Sequence, residues 1–299
     1  MKLLQFYHPE LGKRAGVLKD GLIYDISKAD EKLNSVLSVL KISCQSERAL
    51  SGLIEKVLKS SPICRYDEID KPFGTDGGYL LIPVDAQEVW GFGVTYKRSA
   101  DARDKEAAEL DGIYGMVYSS ERPECFFKAT LSRCVGPNDY IGIRSDSVKT
   151  ASEPELAYVV SDDMRIIGYT ICNDVSAWDI EKENPLYLPQ SKIYSRCCAI
   201  GPVITTVDEL ENPYNLRITC RIIRNDKLIF EENVNTSLIS RKFEVLNECL
   251  FRNNPIPFGT VVTTGTGLII PDEFIHCDGD RVEIEIEGIG KLCNLVKKL

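Results

Sequence analysis

The apolar positions of the chain alternate between two periods, and each switch marks a change of element. LLQFY (3–7) and GLIYDI (21–26) are short apolar runs on either side of the turn-forming Lys19-Asp20-Gly21, and they predict two strands. Leu33, Val36, Leu37 and Leu40 then recur at helical spacing, as do Leu50, Leu53, Ile54, Val57 and Leu58, which predicts two amphipathic helices. DKPFGTDGG (70–78) has no period and reads as a connection. From about residue 85 the period is mostly two. Leu216, Ile218, Cys220 and Ile222 alternate with polar residues, Asn225-Asp226 marks a tight turn, and LIFEE (228–232) returns as the second arm of a hairpin. Val282, Ile284 and Ile286 alternate with Glu283, Glu285 and Glu287, giving a strand with one apolar face and one solvated acidic face. Phe243, Leu246 and Leu250 form the apolar side of a helix among these strands. The pattern predicts an α+β, β-rich chain. A small N-terminal α+β domain with its linker occupies residues 1–84, and a β-rich main domain occupies 85–299.

Composition narrows the function. Hydrophobic residues make up 43% of the 299, enough for a sizeable core, and the net charge is −9 with the basic residues scattered. A nucleic-acid partner is therefore not expected. No apolar run approaches the ~20 residues that span a bilayer, and MKLLQFYHPELGKR turns charged before a signal segment can form. The expectation is a soluble cytoplasmic protein with no membrane partner. Eleven cysteines without CxxC pairs read as reduced, buried thiols. His8 and His276 are the two histidines, so any metal centre must be built from carboxylates.

SEPELAYVVSDDMRIIGYTICNDVSAWD (152–179) carries the candidate chemistry. Glu153 and Glu155 lie one residue apart, which on a strand places both on one face. The strand runs through LAYVV, turns at Ser161-Asp162-Asp163-Met164 and returns as RIIGYTI. If Asp162-Asp163 form a two-residue loop, Asp174 faces position 151, one step along the ladder from Glu153 and on the same face. A slip of one residue would move it to the other face. In that register three carboxylates converge, and they repel unless a cation sits among them. A hard divalent ion such as Mg²⁺ suits such oxygen ligands. Exposed acids on a hairpin satisfy the same spacing, so the residues alone leave both readings open.

The same stretch resembles the metal-binding motif of the fumarylacetoacetate hydrolase superfamily, a Glu-x-Glu strand followed by GYT..NDVSA.D. The resemblance extends over most of residues 88–299, through FFKATLSRCVGPNDYI (126–141), PQSKIYSRCCAIGPVI (189–204), TTGTG (263–267) and GDRVEIEIEGIGKLCNLV (279–296), in the family's order and spacing. It implies a fumarylacetoacetate-hydrolase-like mixed β-roll as the main domain. It also implies Mg²⁺, with Mn²⁺ or Ca²⁺ as substitutes, on Glu153, Glu155 and Asp174, a small 2-keto acid substrate, and a homodimer or homotetramer. Two departures matter. The family's SARD is SAWD here, with Trp178 in place of arginine. Hydrolases of the family carry G.NY..H..E, whose His–Glu pair activates water. In GVTYKRSADA (93–102), Ser99 takes the histidine position and Ala102 the glutamate position.

Enzymes of this family chelate a 2-keto acid on the ion, which stabilises the enolate formed when C3 loses a proton. Without the water-activating pair, the resemblance implies elimination: Mg²⁺-dependent dehydration of a 2-keto-3-deoxy sugar acid, taking 2-dehydro-3-deoxy-D-arabinonate to 2,5-dioxopentanoate. Hydrolysis or decarboxylation of an acylpyruvate or oxaloacetate is the alternative on the same scaffold. The implied catalytic groups are Lys192 and Lys128, as cations beside the enolate oxygen or as proton carriers, and Glu124, which would move protons at C3 or C4. A lysine next to a divalent ion is expected to have a lowered pKa. Thr266 and Gly265 are placed at the substrate carboxylate, and Tyr96 and Arg98 at the distal hydroxyls.

Overall fold

The structure, a computed structural model, describes residues 1–106 and 112–299. A twelve-stranded mixed sheet runs through most of it. Its central strands are Cys198–Thr205, Ile166–Asp174, Pro154–Val160, Thr260–Thr263, Val89–Gly93 and Glu124–Ala129, in that spatial order. A five-stranded sheet packs beside it: Lys227–Asn235, Arg217–Arg224, Arg281–Ile286, Gly290–Lys298 and Tyr140–Ile143. Most neighbours are antiparallel, but Thr260–Thr263 with Val89–Gly93 and Gly290–Lys298 with Tyr140–Ile143 are parallel, so both sheets are mixed. The β-rich, mixed-sheet expectation holds.

At the N-terminus, Lys2–His8 pairs along its length with Gly12–Lys19 and touches the central sheet through Lys2↔Thr205 and Leu3↔Ile204. The expected strands at 3–7 and 21–26 and the two helices, Val36–Gln45 and Glu47–Leu58, are present. The strand Gly12–Lys19 was not anticipated. It carries several charged residues and little apolar alternation; in the fold Lys13 is paired with Asp85 and Arg14 with Asp25. The helix Lys97–Glu106 was missed for a related reason: KRSADARDKE has no apolar stripe. The Asn225-Asp226 turn has positive φ at both residues, the geometry of a tight hairpin turn.

The hairpin that carries the acids corrects the expected register. Its loop is three residues, not two. Ser161 N–H donates to the Arg165 carbonyl at 2.9 Å, Met164 adopts φ +69°, and the ladder shifts between Val159 and Val160. Glu155 therefore faces Cys172, and Glu153 and Asp174 exchange both backbone hydrogen bonds, at 3.0 and 3.1 Å. Asp174 lies opposite Glu153 rather than position 151. The displacement is two residues, one full period of the pleat, so the face is unchanged.

Candidate active site

Glu153 and Asp174 sit at the mouth of the hairpin, and Glu155 lies one pleat further in. All three carboxylates are buried, and one oxygen from each lies within 4.8 Å of the others. Two lysines answer them. Lys192, at the end of the short helix Leu188–Lys192, donates to Glu153 Oε1 (2.8 Å), Asp174 Oδ2 (3.0 Å) and Ser176 Oγ (2.8 Å). Lys128, on Glu124–Ala129, is fully buried; it pairs with Asp174 Oδ1 and donates to the carbonyls of Val175 (2.9 Å) and Lys192 (2.7 Å). Burial works against its charge, but Asp174, together with the Cys197 and Cys198 thiols, holds the ammonium above the ordinary lysine range. Three carboxylates against two ammoniums leave one net negative charge. Burial pushes the Glu155 carboxyl well above its usual range, and the charges of Asp174 and Glu153 push it further. A buried oxygen-donor set short of positive charge fits Mg²⁺, and Glu153, Glu155 and Asp174 are the residues that would hold it.

Surrounding groups fix the acids in place. Trp178, in the family's arginine position, donates its indole N–H to Glu153 Oε1 at 3.0 Å, so a neutral donor holds that carboxylate. Gly265 N–H donates to Glu155 Oε2 at 2.7 Å. Thr266 donates its hydroxyl to the Pro154 carbonyl at 3.0 Å and accepts from Leu268 N–H. Asp174, Glu155 and Glu153 line a cavity enclosing about 20 Å³, room for an ion or a water. Lys192, Glu124, Gly265 and Thr266 line it too, whereas Lys128 stands behind Asp174. Gly93 makes room for Glu124: a Cβ there would lie 2.0 Å from Glu124 Oε2. Val94, also on the wall, is held at φ +55°, a strained conformation for a β-branched residue.

The remaining expected residues lie elsewhere or change meaning. Ser99 is buried on the cavity wall, while Ala102 lines a neighbouring cavity. Tyr96 and Arg98 also line that neighbour; Arg98 pairs with Glu232 at 2.6 Å, and the Tyr96 ring packs over Gly267. Reading along the chain missed Trp178 as a donor, Ser176 as a Lys192 partner, Phe126 (whose ring centre lies 5.4 Å from Lys192 Nζ) and Glu181. Their signal was proximity to SAWD and FFKAT.

Three buried carboxylates able to hold a metal ion, set on a mixed β-roll with a lysine on two of them, suit the class of metal-dependent 2-keto acid enzymes. Residues 88–297 match the family model described as fumarylacetoacetate (FAA) hydrolase, C-terminal, and the chain belongs to that family. It is 49% identical over 236 residues to 2-dehydro-3-deoxy-D-arabinonate dehydratase of Saccharolobus solfataricus, covering 78% of this chain and 79% of that protein. It is 38% identical over 284 residues, 95% of each chain, to a Haloferax volcanii protein named "Probable 2-keto-3-deoxyxylonate dehydratase". Among solved structures, it superposes on 2-keto-3-deoxy-D-arabinonate dehydratase complexed with magnesium and 2,5-dioxopentanoate. That match has a TM-score of 0.85 and 40% identity, covering all of this chain and 99% of the other.

Proposed function

We propose that this protein is a Mg²⁺-dependent hydro-lyase that converts 2-dehydro-3-deoxy-D-arabinonate to 2,5-dioxopentanoate. The observation that carries the reading is the cavity wall. Among the described residues no histidine lines it, and buried Ser99 stands where hydrolases of the family keep theirs. A serine hydroxyl is too weak a base to activate water at neutral pH. Elimination needs no attacking water. C3 gives up a proton and C4 its hydroxyl, which leaves as water. A proton then leaves C5 and one is added at C3. The resulting enol takes a proton at C4 as its hydroxyl becomes the aldehyde. One water is lost, and no redox partner is required.

Mg²⁺, when bound, supplies Lewis-acid polarisation of the 2-keto oxygen. Lys192 adds a positive charge at the same edge of the cavity, supporting negative charge that develops on that oxygen. Lys128, behind Asp174, holds that ligand in place and acts as a positioning residue. Glu124 moves the proton from C3 to the departing C4 hydroxyl. The 2-keto-3-deoxy acid has a single stereocentre, C4. Arabinonate and xylonate of the same C4 configuration therefore give the same compound, and the names of the two relatives describe one chemistry. The family resemblance supports a homodimer or homotetramer, and eleven free thiols suit the cytoplasm.

The test is a panel of 2-keto-3-deoxy acids incubated with purified protein and Mg²⁺, with products followed by mass spectrometry. A product lighter by one water from the pentonate is expected, lost on chelation and restored by Mg²⁺. Efficient acetylpyruvate cleavage with no dehydration of any sugar acid would overturn the reading.

A further inference from the structure

Two carboxylates outside the acidic triad line the same cavity, and one of them has no role so far. Glu181 lies in the short helix Trp178–Glu183, three residues after Trp178, so the two buried side chains share a helix face. Trp178 uses that face to hold Glu153, which fixes the helix against the metal end of the cavity. Glu181 reaches the wall further along, with Ser191 Oγ 3.4 Å from its Oε2. A second, more apolar cavity of about 80 Å³ adjoins the first. The two share Val94, Glu124, Glu181 and Leu188, and the second continues between Ile113 and Pro185. Glu124 and Glu181 therefore stand at the junction, on the side that leads away from the triad. A 2-keto acid held at the triad by its carboxylate and keto oxygens would extend C4 and C5 toward that junction.

The geometry points to a division of labour, resting on the dehydratase reading: Glu124 serves the first half of the reaction, and we propose that Glu181 is the catalytic base of the second half. In the first half Glu124 carries one proton from C3 to the C4 hydroxyl. The C4–O bond breaks, water leaves, and a C3–C4 double bond conjugated to the keto group forms. That product, 5-hydroxy-2-oxopent-3-enoate, has acidic hydrogens at C5 because the charge left by their removal delocalises into the keto oxygen. In the second half the Glu181 carboxylate takes a C5 proton, the electron pair shifts to form the C4–C5 double bond, and the same proton is returned at C3. The enol at C5 then becomes the aldehyde by moving its hydroxyl proton to C4. Each carboxylate ends in the protonation state in which it began, and no oxidant or reductant enters.

The deciding variant is Glu181→Gln, which keeps the side chain's shape. With Mg²⁺ and the 2-keto-3-deoxy pentonate it should exchange the C3 hydrogens with D₂O and release water as wild type does. It should form 2,5-dioxopentanoate at least about 100-fold more slowly and accumulate the conjugated enoate, an isomer of equal mass told apart by its ultraviolet absorbance and by its vinylic proton resonances. Dioxopentanoate formation at the wild-type rate overturns the proposal, as does loss of both C3 exchange and enoate formation in a variant that still folds and binds Mg²⁺. If Glu181→Gln does not fold, Glu124→Gln decides. Supplied with the enoate directly, it should form dioxopentanoate near the wild-type rate, and failure to do so overturns the division. A wild-type protein that dehydrates no member of the panel would instead sink the dehydratase reading, so the two failures are distinguishable.

Discussion

His276 shows how single residues support the acids without touching them. Its ring is buried, with Nε2 2.7 Å from Ser152 Oγ, and that hydroxyl also accepts from Asn173 Nδ2 at 2.8 Å. Ser152 and Asn173 are the chain neighbours of Glu153 and Asp174. Burial lowers the imidazole pKa to about 4; Asp280 opposes that shift and Arg224 adds to it. The unfolded chain, with a histidine near 6.5, binds more protons than the folded one between those two values. The contribution of His276 to stability is therefore complete above about pH 6.5 and is lost as pH falls toward about 4, on the order of 3 kcal/mol in all. Thermal melts across that window should show the loss in wild type and a shallower acid limb in His276→Gln. Parallel limbs would mean that another group titrates.

Among the elements, the segment after Thr260–Thr263 closes the Glu155 end of the site. Gly265 sits at φ +84° and offers its N–H to Glu155, while a Cβ there would lie 2.2 Å from Thr95 Oγ1 and 2.9 Å from the Phe92 carbonyl. Gly265→Ala should lose about 1–3 kcal/mol of stability and weaken Mg²⁺ binding, read by melts and by calorimetry; unchanged values in both would remove Gly265 from the site. The acids themselves were legible in the sequence because strand pairing has a period of two. The assumed turn was wrong, yet Glu153, Glu155 and Asp174 still shared a face, since the error was even. Trp178 and Glu181 were not legible as site residues. Their six-residue helix carries no periodic signal of its own, and their roles depend on where it docks. Both lysines stood out in the sequence, with Lys192 the stronger candidate, and packing gives the physical reason: Lys128 stands behind Asp174, while Lys192 lies on the cavity wall.

In the whole molecule, the N-terminal strands and helices cover the central sheet. Leu3, Val39, Leu40, Ile54 and Val57 form one buried cluster with Val159, Ile204 and Val261. Gln5, also buried, donates to the Ile82 carbonyl and accepts from Val36 N–H, tying strand, connection and helix together. Val159 and Val261 lie on the strands that lead to Glu155 and to TTGTG, and Val159 shares the pleat face of Glu155, so the cover packs on a continuation of the face that carries the acids. A fragment spanning 85–299 should therefore aggregate or fail to melt cooperatively, as size-exclusion chromatography and circular dichroism would show. A fragment that melts sharply and binds Mg²⁺ like the full chain would show the cover to be dispensable.

The indole on Glu153 also gives the protein an optical probe. The chain has two tryptophans. Trp90 bonds Glu88 and stacks edge-on against Phe127, outside the acid triad, and so serves as a steady background. Trp178 donates to a carboxylate that an incoming divalent ion would recruit, so its emission should shift as the site fills. Titrating Mg²⁺ while recording intrinsic fluorescence would report occupancy in the native chain with no label or substrate, and Trp178→Phe should silence the signal.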